Sequence, residues 1–174
     1  EVERLDRVVG QLLDFARPLT LTRTETSLAT AADGALRLVE KRLADAGIRV
    51  VTDLDPSVRA MVDPDRLRQV ILNLLINAAE AMEDGGTLTV KVADGDRGPE
   101  IRLADTGPGI SAEALAHVFD PYFTTKRSGT GLGLAIANNI MEAHGGMIRV
   151  ESDPEAGWTT AVLTFPPVGS ETRK

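Results

Sequence analysis

Asn73 and Asn77 stand four residues apart in the run Gln69-Val70-Ile71-Leu72-Asn73-Leu74-Leu75-Ile76-Asn77-Ala78-Ala79-Glu80. A helix through this stretch therefore places the two amides one above the other. At about 100° per residue, Leu67, Val70, Ile71, Leu74, Leu75, Ala78 and Met82 share one arc, and Gln69, Asn73, Asn77 and Glu80 fall on the arc beside it. A polar row that adjoins the core face, instead of opposing it, suits the wall of a pocket. An amide oxygen is a neutral hard ligand, of the kind that takes one position on a magnesium ion held mainly by water and substrate phosphates. Alone, the row has a second reading, because helical asparagines are more commonly solvated or locally bonded.

Two glycine-rich stretches offer complementary chemistry. Asp105-Thr106-Gly107-Pro108-Gly109-Ile110 follows a segment that alternates like a strand. Its glycines let the backbone turn sharply and approach a flat ligand, and a buried Asp105 needs a donor such as the exocyclic amine of adenine. A plain turn after a strand describes this hexapeptide equally well. Gly129-Thr130-Gly131-Leu132-Gly133-Leu134 opens a helical pattern, where backbone N–H groups and the helix dipole can meet phosphate oxygens. It is not a Walker loop, since no Gly-Lys-Ser/Thr follows, and it lacks the strand-to-helix unit of a dinucleotide fingerprint. Ahead of it, Phe119-Asp120-Pro121-Tyr122-Phe123-Thr124-Thr125-Lys126 supplies aromatic anchors and one cation. Lys126 can meet a terminal phosphate, although a surface lysine accounts for it as well.

The elements that must position these residues follow from periodicity and punctuation. The apolar spacing of Val2, Leu5, Val9, Leu12 and Ala16 suits a helical-bundle seam or an amphipathic helix packed on its own domain, and Pro18 stops it. A strand is expected over 20–28 and a helix over 30–46, closed by Gly47. Short strands at 48–54 and 58–62 flank the Asp55-Pro56 turn. Asp63 caps the asparagine helix, with Pro64 in its first position, and the helix runs to about Met82. Segments 87–93 and 100–104 read as a hairpin. The stretch 105–133 is too long for an ordinary connection and reads as a functional lid. A third helix covers 134–144, strands follow at 147–152 and 159–165, and the tail 168–174 is expected to be disordered. This mixture without βαβ regularity predicts an α+β fold, a two-layer sandwich of a mixed sheet with helices on one face, preceded by one amphipathic helix.

Composition narrows the function. The chain of 174 residues suits one domain with an appendage. A net charge of −7 without a Lys/Arg cluster argues against a nucleic-acid surface. The absence of cysteine removes thiol nucleophiles and thiolate metal sites, and two histidines make a His-rich metal site unlikely to arise. No apolar run reaches the roughly 20 residues of a membrane helix, and the charged start Glu1-Val2-Glu3-Arg4 does not read as a signal peptide.

Taken in order, the motifs resemble the catalytic ATP-binding domain of sensor histidine kinases, within the superfamily of gyrase, heat-shock chaperone, mismatch-repair and kinase ATP sites. Residues 63–82 resemble the N box, 105–110 the first glycine box, 119–126 the F box, 129–134 the second glycine box, and Gly157-Trp158-Thr159-Thr160 the last one, with Thr159 where many members have glycine. Leu12-Leu13-Asp14-Phe15-Ala16-Arg17-Pro18 resembles the end of a dimerisation helix in nitrogen-regulation-type members. The resemblance implies a Bergerat-type fold with four parts: the C-terminal part of a dimerisation and phosphoacceptor helix over 1–17, a linker over 18–22, the catalytic domain over 23–167, and the tail. It implies ATP and Mg2+ as cofactors, with Asn77 on the metal, Asn73 and Lys126 supporting transfer, and Asp105 reading the adenine. Gly107, Gly109, Ile110, Gly129, Thr130, Gly131, Leu132, Gly133, Leu134 and Thr160 complete the implied nucleotide contacts.

Within the superfamily, hydrolysing members carry a glutamate one helical turn before the metal asparagine. Here that place holds Asn73, which cannot act as a base at neutral pH, so phosphoryl transfer is favoured over hydrolysis. The resemblance implies that the accepting imidazole lies on a bundle mostly missing from this chain. His117 reads as a loop side chain, and His144 as a helix-end residue favoured there by the dipole. The implied partners are the protein's own dimerisation bundle and a response-regulator receiver domain, with the intact protein a homodimer. The domain is expected to be cytoplasmic, in a protein either soluble or membrane-anchored. The competing reading is an ATP-responsive binding module without turnover. A dimerising ATPase switch and a serine-directed kinase fit less well.

Overall fold

The computed structural model describes residues 19–126 and 129–168. The expected leading helix and most of the expected tail lie outside them. Strand β1 (Thr24–Ser27) leads into α1 (Leu28–Asp45), then β2 (Ile48–Leu54), β3 (Arg59–Val62) and α2 (Pro64–Ala81). The hairpin β4 (Gly86–Gly95) and β5 (Gly98–Asp105) follows, then a short α3 (Ala112–Leu115), α4 (Gly133–Ala143), β6 (Met147–Asp153) and β7 (Trp158–Thr164).

Five strands form one mixed sheet in the order β2-β4-β5-β7-β6, parallel only between β2 and β4. Period-two alternation gives the sheet a buried side. Leu88, Val90, Val92, Ile101 and Leu103 are buried, while Lys91 and Arg102 between them are exposed. The apolar arcs of α1, α2 and α4 cover that side, and α2 packs between the other two. The fold is thus the expected two-layer sandwich with one addition. β1 and β3 leave the main sheet and pair with each other, Thr24 opposite Val62 and Ser27 opposite Arg59.

Helix starts follow side-chain caps. The Ser27 hydroxyl accepts the N–H of Thr30 at 3.4 Å, so α1 begins at Leu28, two residues before the position expected from apolar spacing. At the head of α2, Asp63 accepts from Asp65 and Arg66 at 3.1 and 3.2 Å, and its other oxygen accepts from Thr22 at 2.9 Å. Burial alone would push this carboxyl up. The N–H donors of Thr22, Arg66 and Asp65 hold it below its ordinary value instead.

His144 corrects the sequence expectation. It does stand at the end of α4, but it is buried at 3% exposure and neutral. Its Nε2 accepts the N–H of Asp63 at 2.9 Å, which requires the proton on Nδ1, and Nδ1 donates to the Ile140 carbonyl at 2.7 Å. The ring therefore ties the end of α4 to the start of α2. Burial pushes its pKa down, aided by Arg23, which donates to the Ala143 carbonyl at 2.5 Å. The sign of the pH effect follows. Above the ordinary histidine value of 6.5 neither state binds a proton, whereas below it the unfolded chain binds one that the folded chain refuses. Melting temperature is therefore expected to fall as pH drops below about 6.5, before the carboxylates act. His144→Asn should melt lower at pH 7.5 and show a flatter decline down to pH 5.5. An equally steep decline in that variant would overturn the assignment.

Candidate functional site

A cavity of about 580 Å³ opens between α2, the sheet and the long connection from β5 to α4. It collects Asn73, Asn77 and Glu80 from α2, Leu103 and Asp105 from β5, and Thr159 and Ala161 from β7. Gly109, Ile110, Lys126, Gly129, Thr130, Gly131, Gly133 and Leu134 line it as well. Most of the residues singled out from sequence are thus brought to one wall or mouth of the same space.

Asp105 is buried at the end of β5, with its Oδ1 accepting the N–H of Gly107 at 2.9 Å. Among the described residues its Oδ2 has no partner, which leaves that oxygen for a donor in the cavity. Burial pushes the carboxyl up, and the Gly107 bond and Lys126 offset this only in part. The turn after it is anchored on the sheet: Ile110 N–H donates to Ser152 Oγ at 2.8 Å, and Ser152 Oγ lies 2.9 Å from Thr159 Oγ1. Glycine is required at position 109, where φ is +74° and a Cβ would lie 2.6 Å from Pro154 Cα.

On the α2 side, Asn73 Nδ2 donates to the Gly133 carbonyl at 3.1 Å, fixing the first residue of α4 against α2. No side chain caps α4, so its first-turn N–H groups face the glycine loop. Gly131 adopts φ +67°, and a Cβ there would lie 2.3 Å from the carbonyl carbon of Tyr122. The Gly131 carbonyl accepts the Tyr122 N–H at 3.0 Å, which clips the loop to the F-box segment. Tyr122 itself is 60% exposed, with φ +68°, so it is not the anchor expected from its type. Phe123 lines the cavity and Phe119 packs against the core.

Lys126 is held in the cavity. Its Nζ lies 2.7 Å from Glu80 Oε2 and 3.5 Å from Asn77 Oδ1. Glu80 also accepts from Arg42 at 3.1 Å through its other oxygen. Burial raises the Glu80 carboxyl, but Lys126 and Arg42 outweigh it and keep the group below its ordinary value. Glu80 was visible on the polar arc of α2 and had been given no role. Arg42, on α1, carried no sequence signal, and only the packing of α1 against α2 brings it here.

Three expected contacts lie elsewhere. Gly107 braces Asp105 and does not line the cavity, and Leu132 is wholly buried in the core. Thr159 and Ala161 face the cavity, so strand alternation turns Thr160 to the opposite side. Counting from the glycine box thus misses the strand phase by one residue. His117 is exposed and sits 2.7 Å from Asp120, away from the cavity lining. Among the described residues no group of three or more His, Asp or Glu side chains can hold a metal ion. Nor is any helix among them long and apolar enough to cross a membrane.

The family model of histidine kinase-, DNA gyrase B- and HSP90-like ATPases matches residues 62–169, well over half of the chain. The chain belongs to this ATPase family. Among curated relatives, sensor histidine kinase ZraS of Klebsiella oxytoca is 43% identical over 95% of this chain and 36% of its own length. The chain thus spans about a third of that relative. Among solved structures, the catalytic domain of histidine kinase ThkA superposes with a TM-score of 0.75 at 30% identity, covering 83% of this chain and 95% of that one. Full-length ShkA in complex with AMPPNP gives 0.83 at 27%, covering 93% and 35%. ThkA in complex with the response regulator TrrA gives 0.82 at 27%, covering 96% and 48%. The curated relative and the ThkA structures named here are histidine kinases.

Proposed function

We propose that this chain is the ATP-binding catalytic domain of a two-component sensor histidine kinase, which passes the γ-phosphoryl group of ATP to a histidine on a helical bundle carried elsewhere in the intact protein. The observation that carries the reading is the polarity of the cavity. A buried carboxylate on β5, the asparagine pair on α2 and the uncapped start of α4 all line the same space.

In this reading Asp105 Oδ2 accepts the adenine amine, and the 129–133 loop with the first N–H groups of α4 cradles the phosphates. Lys126 stands by the terminal phosphate. The residues present fit a magnesium ion, since the neutral Oδ1 of Asn77 points into the cavity and the lack of an acidic ligand cluster matches an ion held mostly by phosphates and water. Bound there, the ion would neutralise phosphate charge. The transfer itself asks the protein mainly for alignment. The neutral imidazole of the acceptor forms a bond to the γ-phosphorus as the bond to the β-phosphate oxygen breaks, and ADP leaves.

Water is the competing acceptor, and nothing in this cavity activates it well. Asn73 has no basic form at neutral pH and its amide is engaged by Gly133. Glu80, the carboxylate that shares Lys126 with Asn77, is held ionised by two cations and is a weak base. The partners of the chain in this reading are the protein's own bundle, to which 1–17 contributes and 18–22 links, a response-regulator receiver domain, and a second copy in the homodimer. The test is to supply γ-labelled ATP to this chain together with the missing bundle. Label on the bundle histidine is expected, with little free phosphate. A folded, ATP-bound protein that labels nothing would overturn the kinase reading in favour of a module that only responds to ATP.

A further inference from the structure

Arg42 lies outside every motif of the site, in the last turn of α1, yet its side chain lines the cavity. Its Nη2 and the Lys126 Nζ grip opposite oxygens of one carboxyl group, Glu80, at 3.1 and 2.7 Å. One cation comes from α1 and the other from the connection ahead of α4, two segments distant in sequence. Both heads therefore lie within reach of one polyphosphate, beside Asn77. None of the three is deeply buried. Arg42 is 49% exposed and Glu80 and Lys126 are each 36% exposed, so the cluster sits at the mouth, where exchange of partners costs little desolvation.

We propose that Arg42 is a phosphate-binding residue of this site, and that Glu80 occupies its guanidinium and the Lys126 ammonium until the polyphosphate of the nucleotide displaces it. This rests on the nucleotide reading of the cavity. The chemistry favours the exchange. A nucleotide polyphosphate carries several negative charges against the single one of Glu80, and a guanidinium fork matches two phosphate oxygens better than one carboxylate oxygen. Glu80 is thereby an internal competitor for both cations. The alternative is that Arg42 merely offsets the carbonyls at the end of α1, or acts only by positioning Glu80.

The experiment is calorimetric titration of the whole chain with adenosine, ADP and a non-hydrolysable ATP analogue, magnesium present throughout. Arg42→Gln is expected to weaken the two phosphorylated ligands about tenfold, the loss of one charge-assisted hydrogen-bonded pair, and to leave adenosine unchanged. Glu80→Gln is expected to tighten the phosphorylated ligands severalfold by removing the competitor. The Arg42 loss should persist, at the same size or larger, in the Glu80→Gln background, where no competitor offsets the contact. No loss, a loss shared by adenosine, or a loss that vanishes in that background would each overturn direct phosphate contact. A wild-type chain that binds none of the three would instead overturn the nucleotide reading itself, so the two failures are distinct.

Discussion

Asn77→Ala is expected to lower affinity for magnesium-ATP by about 100-fold or more while leaving the melting temperature nearly unchanged. The two halves of this expectation rest on different parts of the same helix. α2 is fixed by Leu67, Val70, Ile71, Leu74 and Leu75, whose burial contributes about 1.5–3 kcal/mol each. Asn77 lies only half-buried on the adjoining arc, and its contact is a long one, 3.5 Å from the Lys126 ammonium, which Glu80 already holds. Alanine is the better helix former, so the fold loses little. The site loses a neutral oxygen that no cluster of acidic side chains among the described residues can replace. Titration with and without a chelator separates the terms. The variant should bind ATP with the same weak affinity in both conditions, and the wild type should not. Unchanged affinity for magnesium-ATP in the variant would show that the metal position lies elsewhere.

Asp105→Asn is expected to reduce ATP affinity by about 100-fold and to erode the preference for adenine over a 6-oxo purine. The substitution conserves shape, so the loss is one of hydrogen-bond direction. The carboxylate accepts from Gly107 through Oδ1 and offers Oδ2 to the cavity. An amide has one accepting and one donating end. If its oxygen faces Gly107, its NH2 opposes the adenine amine, and if it turns round, it opposes the Gly107 N–H. Either arrangement leaves a donor facing a donor in a buried place. A 6-oxo purine presents an acceptor at the same position and should bind the variant relatively better. Competition between ATP and a 6-oxo purine nucleotide measures this ratio. An unaltered ratio with reduced affinity would mean that Asp105 supports the turn without reading the base.

Much of this protein was legible before any coordinates. The asparagine helix and its cap at Asp63 depend on short-range patterns and stand where periodicity and punctuation put them; the hairpin expected at 87–93 and 100–104 forms with longer strands, Gly86–Gly95 and Gly98–Asp105, and α4 opens one residue early, at Gly133. The misreadings share one cause. Thr160 was a count along a motif, and the phase of β7 turned its neighbours Thr159 and Ala161 inward. His144 was placed at the correct helix end, but its charge state depends on the Asp63 N–H across 81 positions of sequence. Residue type alone makes Tyr122 an anchor, but its backbone sits at φ +68° against Gly131 and its side chain is exposed.

The sequence by itself therefore determined the class of the site, because residue type and spacing within a helix or turn decide which donors, acceptors and ligands exist. Asn73 in place of a glutamate is such a decision, and no folding can make an amide into a base. Only the tertiary structure decided how those groups are charged and shared. The packing of α1 on α2 brings Arg42 to Glu80, and the connection ahead of α4 brings Lys126 to the same carboxylate. Electrostatic partners act through distance in space, over a few ångströms, and the order of residues along the chain does not encode that distance until apolar burial has fixed the elements that carry them.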